Sequence, residues 1–142
     1  EFKGLLAEKP QSIFMTANDY FAIEKAKQPP QEGTYELRTY TTNPGKLNAL
    51  NARFSNHTIQ LFEKHGIHNV GYWTPLETPD SKNTLIYLIH HANRKQADLN
   101  WQAFNTDPQW RKVVHQSQTN GKLLEISPER IYLKPMEFSP LK

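Results

Sequence analysis

The chain has 142 residues, with 17 Lys and Arg against 14 Asp and Glu, a net charge of +3 and no cysteine. That length suits one domain of ordinary size, able to hold a core without disulfides or metal. The missing cysteines exclude a thiol nucleophile, a Cys-ligated zinc site and a disulfide framework, and the basic residues are too scattered for a nucleic-acid surface.

Residues 1–24 are too apolar for a linker, with Leu5, Leu6, Ile13, Phe14, Met15, Tyr20 and Phe21. Residues 25–33, with Pro29-Pro30, read as a stiff, extended connection. Residues 34–42 alternate and are rich in β-branched and aromatic types, the pattern of a strand. Asn43-Pro44 then offers a helix cap and a first helical residue. Leu47, Leu50, Phe54, His57, Thr58, Leu61 and Phe62 recur at helical spacing, up to a terminating glycine at Gly66. Residues 67–74 predict a second strand stopped by Pro75, and residues 76–82 a hairpin loop. Residues 83–91 predict a third strand whose apolar run suggests cover on both faces; the run Leu85–Ile89 is far too short to cross a bilayer. Asn93 and Gln96 resemble a capping box ahead of Ala97, Trp101 and Phe104. Asp107-Pro108 restarts a helix carrying Trp110, Val113, Val114 and Ser117, closed by Asn120-Gly121. Residues 129–134 predict the last strand between Pro128 and Pro135.

The order is β-α-β-β-α-β over residues 34–135, an α+β, ferredoxin-like domain with an antiparallel sheet. Its helices can cover only one sheet face, so the other needs a second layer. Residues 1–24 explain themselves when set against the C-terminus at an offset of 118. Leu5-Leu6 then falls on Leu123-Leu124, Pro10 on Pro128, Ile13-Phe14-Met15 on Ile131-Tyr132-Leu133, and Asp19-Tyr20 on Glu137-Phe138. An offset of domain length points to tandem duplication. Residues 1–24 are then the last strand and tail of a preceding repeat, 25–33 the linker, and 34–142 the complete domain.

Phosphate-loop, dinucleotide, zincin and nucleophile-elbow motifs are missing. Asn56-His57-Thr58 is a formal glycosylation sequon placed mid-helix. His90 and His91 point to opposite faces of a strand, and His65 with His68 makes an incomplete ligand set, so no metal is expected. His115 belongs on the surface. His57, on or beside the apolar stripe, is by default a packed, hydrogen-bonded histidine, with a haem ligand or a proton relay as the sharper reading. Glu36, Arg38 and Tyr40 share one side of the first strand. If that side meets a partner sheet they line a cavity, where Glu36 and Arg38 bind a polar ligand or neutralise each other. Tyr72, Trp73 and Trp101 complete the candidate ligand cavity; most of the other aromatic residues belong to core or interface.

The strand Tyr35-Glu36-Leu37-Arg38-Thr39-Tyr40 followed by Pro44-Gly45 resembles the opening motif of the NIPSNAP family. Asn69-Val70-Gly71-Tyr72-Trp73, and Trp101 and Phe104 ahead of Asp107-Pro108 and Trp110, are similar to its bacterial members. The resemblance covers residues 34–138 and implies a ferredoxin-like fold that pairs as a dimeric α+β barrel, often in two tandem copies. It implies no defined activity, although the same barrel is used by small monooxygenases, haem-degrading enzymes and lactone isomerases.

Three functions stay open. One is a dimerising binding and interaction module, pairing as a homodimer or as a pseudo-dimer with the preceding repeat. The second is a cofactor-poor monooxygenase or isomerase that holds a small apolar or aromatic ligand through Arg38, His57, Tyr72 and Trp73. The third is haem binding through His57. No cofactor is expected under the first two. Neither nucleic acid nor a membrane span enters any of them. The Pro-rich termini suit an exported, periplasmic protein, with a cytoplasmic one as the alternative.

Overall fold

A computed structural model describes residues 9–21, 29, 32–77 and 79–141. The expected pairing of Leu5-Leu6 and most of the 25–33 linker fall outside them.

Among the described residues five strands form one antiparallel sheet: β1 (Met15–Ala17), β2 (Thr34–Thr41), β3 (His68–Pro75), β4 (Thr84–His91) and β5 (Glu129–Leu133). Their order is β1-β3-β4-β2-β5. The last four strands have the ferredoxin-like arrangement expected from the sequence, and β1 is added outside β3. The register is continuous along β2 and β4, from Thr34 opposite His91 to Thr41 opposite Thr84. Between β3 and β4 it slips once, between Asn69 and Gly71. This bulge has a consequence for packing. Asn69 lies opposite Ile89 and Tyr72 opposite Tyr87, so the two residues share a face that strict alternation would deny them.

Helices cover one face of the sheet. The first begins later than the sequence suggests. Asn43 does not cap it: its backbone N–H donates to Leu123 O at 2.9 Å, and its side chain donates to Lys122 O at 3.0 Å. Pro44-Gly45 forms a turn, with Gly45 at φ +76°, before α1 (Leu47–Arg53) starts. A π-helical turn (Phe54–Thr58) follows, then α2 (Ile59–Lys64). Gly66 ends the run at φ +73°, the left-handed position that favours glycine. Across the π turn the Ile59 N–H reaches back to Phe54 O, and the Thr58 hydroxyl donates to Arg53 O at 3.2 Å. The wider turn brings Thr58 into the core and leaves His57 exposed.

The two later caps match the sequence. Asn93 accepts the Gln96 N–H at 2.8 Å and starts α3 (Arg94–Thr106). Asp107 accepts the Gln109 N–H at 2.7 Å and starts α4 (Pro108–Ser117), with Pro108 where its missing N–H leaves no helical bond unmade. The core lies between helices and sheet, built on Leu50, Phe54, Phe62, Tyr72, Tyr87 and Ile89.

Among the described residues no helix lies on the opposite sheet face. By alternation it carries Trp73 and Gly71 from β3, Ile86 and Leu88 from β4, Leu37 from β2, and Ile131 and Leu133 from β5. Ile131 is 59% exposed and Leu133 42%.

Candidate functional site

Glu36, Arg38 and Tyr40 alternate with Leu37 and Thr39 along β2, and all three are buried. They do not face a partner sheet. They face the domain's own helices, because they share a side with Leu85, Tyr87 and Ile89 of the core. The Asn93 cap sets the phase of α3 so that Trp101 comes down on this row. Its indole N–H donates to Glu36 Oε2 at 2.8 Å. Arg38 donates from Nη1 to Glu36 Oε1 at 2.7 Å, and His91 Nε2 lies 3.0 Å from Oε2. The Arg38 guanidinium is stacked 4.3 Å from the Trp101 ring centroid and 5.6 Å from that of Tyr40.

Burial pushes the Glu36 carboxyl up. Hydrogen bonds from His91 and Trp101, and the charge and hydrogen bond of Arg38, together outweigh it and lower its pKa to about 2. Glu36 is therefore a fully enclosed carboxylate with three donors. Such a group is held rigidly, since removing any donor leaves buried charge uncompensated. It has little capacity for acid–base work near neutral pH.

Beyond Arg38 the space between sheet and helices is filled with aromatic side chains. Tyr87 donates its hydroxyl to that of Tyr40 at 3.0 Å. Tyr72 stacks on Tyr87 with ring centroids 5.3 Å apart and donates to Asn69 Oδ1. Phe54 packs edge-on against Tyr72, and Phe62 packs edge-on against Phe54. Burial drives the Tyr72 and Tyr87 phenols well above their ordinary range, so both stay protonated.

A second polar cluster locks the helix ends. Asp107 accepts from Lys64 at 2.6 Å and lies 2.7 Å from His65 Nε2, which lowers its carboxyl below the usual range. Because Asp107 also caps α4, this cluster ties α2 to the α3–α4 junction. Among the described residues no group of three or more His, Asp or Glu is arranged to hold a metal ion.

The sequence profile of the NIPSNAP family matches residues 35–140. The chain belongs to the NIPSNAP family. Solved structures agree on the fold. A NIPSNAP family protein of unknown function from Agrobacterium tumefaciens is 23% identical, with a TM-score of 0.66 over 81% of this chain and 98% of that one. An uncharacterized NIPSNAP-like domain protein from Burkholderia xenovorans is 20% identical, with a TM-score of 0.64 over 75% of this chain and 88% of that one. A monooxygenase of Streptomyces coelicolor in complex with nanaomycin D is 12% identical, with a TM-score of 0.54 over 80% and 96%. No curated protein matches the chain.

In this NIPSNAP domain the seven residues marked in the sequence do not line one cavity. Glu36, Arg38, Tyr40 and Trp101 come together. Tyr72 lies further along the same face, joined to Tyr40 through Tyr87 and through Phe54. Trp73, next in the strand, is on the opposite face, folded over Gly71: a Cβ at Gly71 would stand 2.3 Å from its ring. His57 is exposed on the π turn, so it neither packs in the core nor faces the Glu36 group. Sequence reasoning missed His91 as a partner of Glu36. The two residues are diagonal neighbours, which becomes visible only once Thr34 is set opposite His91.

Proposed function

We propose that this NIPSNAP domain is a non-catalytic interaction module that pairs with a second domain of the same fold, open sheet face to open sheet face, to close an α+β barrel. The partner is a second copy of the chain or a repeat preceding it. The observation that carries the reading is the apolar face of Leu37, Trp73, Ile86, Leu88, Ile131 and Leu133, over which no helix lies among the described residues. An apolar sheet face of this kind calls for a second layer. The helical side supports the same reading, since the rings of Phe54, Phe62, Tyr72 and Tyr87 pack against one another there rather than around a cavity. The Glu36–Arg38–Trp101–His91 group then acts as a clamp between sheet and helix, and the reading needs no cofactor. Native mass measurement at micromolar concentration tests it. The expected result is a species of twice the 16.5 kDa chain mass; a strict monomer contradicts it.

A further inference from the structure

Residues 13–21 hold a defined seat on this domain. Leu76 N–H donates to Phe14 O and Asn18 N–H to Tyr72 O, both at 2.9 Å, so β1 extends the sheet along the outer edge of β3. The Thr74 hydroxyl donates to Asn18 Oδ1 at 2.8 Å. A turn closed by Phe21 N–H to Asn18 O then sets Tyr20 and Phe21 against Tyr72, with ring centroids 5.8 and 5.3 Å away, and the Tyr20 hydroxyl donates to Asn51 Oδ1 at 3.0 Å.

The C-terminal tail repeats this segment at the offset of 118. Ile131-Tyr132-Leu133 matches Ile13-Phe14-Met15, and Glu137-Phe138 matches Asp19-Tyr20. The structure adds an independent correspondence. Ser139 N–H donates to Met136 O at 2.9 Å, the same turn at the same offset as Phe21 to Asn18. Pro135 falls on Ala17. In the alternating ladder, Phe14 and Asn18 make the bonds to β3 and the N–H of Ala17 points outward, so a proline there loses nothing. Yet Phe138, the counterpart of the half-buried Tyr20, is 86% exposed, and Met136 is 62% exposed. On this domain the β3 edge is already taken by residues 13–21.

We infer that residues 131–139 form a docking arm, which seats on the β3 edge of another NIPSNAP domain, one whose edge is open, as residues 13–21 seat on this one. Phe138 fills the place of Tyr20 against the counterparts of Tyr72 and Asn51. The inference rests on the reading that the domain pairs with another of its fold, and it names the contact that makes the pairing reciprocal. β-strand addition supplies main-chain hydrogen bonds, and the aromatic residue at the turn supplies selectivity. The arm lacks counterparts of the Asn18 side chain and the Phe21 ring, so its hold is weaker than that of residues 13–21.

The test uses the full chain carrying Thr16→Pro, which removes a ladder N–H between Phe14 and Asn18 and opens the edge. A fluorescent peptide of residues 129–142 is titrated into this variant and into the unaltered chain. The expected result is saturable binding to the variant and at least tenfold weaker binding to the unaltered chain, whose tethered segment competes at high effective concentration. Phe138→Ala in the peptide weakens binding at least fivefold. A peptide of residues 9–21 reports that the seat is intact; if it fails to bind Thr16→Pro, the double variant Tyr20→Ala, Phe21→Ala takes its place. No binding of the 129–142 peptide to a variant that accepts the 9–21 peptide, or binding indifferent to Phe138→Ala, overturns the inference. The barrel is separable: a dimer by native mass with no arm docking removes the arm alone, and arm docking on a strict monomer removes the barrel alone.

Discussion

Trp101 donates its indole N–H to the carboxylate of Glu36 across 2.8 Å, and its ring carries the Arg38 guanidinium that pairs with the same carboxylate. One side chain of α3 thus both satisfies and covers the buried ion pair of β2. Trp101→Phe keeps most of the ring and deletes the donor. It is expected to destabilise the domain by about 1–3 kcal/mol, the cost of an unsatisfied buried acceptor. Glu36→Ala strands the Arg38 charge and is expected to cost about 3–5 kcal/mol. Urea unfolding of the two variants checks both the size and the order; equal, negligible effects would show that the group is not a clamp.

The same group predicts an acid dependence. The Glu36 carboxyl is depressed to about 2 in the folded domain from an ordinary value near 4.5. It therefore contributes fully above the ordinary value, and the contribution is lost as pH falls from about 4.5 towards 2, in total on the order of 3 kcal/mol. Unfolding free energies of the wild type and Glu36→Gln, measured between pH 6 and pH 2, should converge as pH falls. A gap that widens on acidification has the wrong sign.

Gly33 precedes β2 where the chain crosses close to β4. A Cβ there would stand 2.2 Å from the carbonyl oxygen of His91, a backbone atom that cannot swing aside. Gly33→Ala is expected to spread the paired ends Thr34 and His91 and to destabilise by about 1–3 kcal/mol. Hydrogen exchange should show the loss of protection confined first to that end of the β2–β4 ladder; uniform protection equal to that of the wild type would contradict it.

What could be read from the sequence divides along physical lines. Alternation in residues 34–41, the caps Asn93 and Asp107, and the left-handed Gly66 are local signals, and they placed the strand, both later helices and the end of the first. The start of that first helix was misread because Asn43 spends its hydrogen bonds on residues 122–124, a contact across 79 residues that no local pattern displays. The helical spacing puts both His57 and Thr58 on or beside the apolar stripe, but the single wide turn shifts the phase so that Thr58 stays in the core and His57 is exposed. At the candidate site, Glu36 and Arg38 were recognisable as a pair, but the layer they face and the diagonal contact with His91 depend on topology and register. Tyr72 and Trp73 could be separated by alternation alone, whereas the bulge that gives Tyr72 its Asn69 partner could not be foreseen.

Native mass measurement of the wild type beside Ile131→Glu tests whether the open sheet face is a pairing surface. Ile131 is exposed in the single chain, so the substitution should leave the unfolding free energy of the single chain within about 0.5 kcal/mol of its original value. A charge buried between two apolar sheets, by contrast, should abolish association. The expected result is a dimer for the wild type and a folded monomer for Ile131→Glu at the same micromolar concentration. A wild-type monomer, or an Ile131→Glu chain that still dimerises, would contradict it.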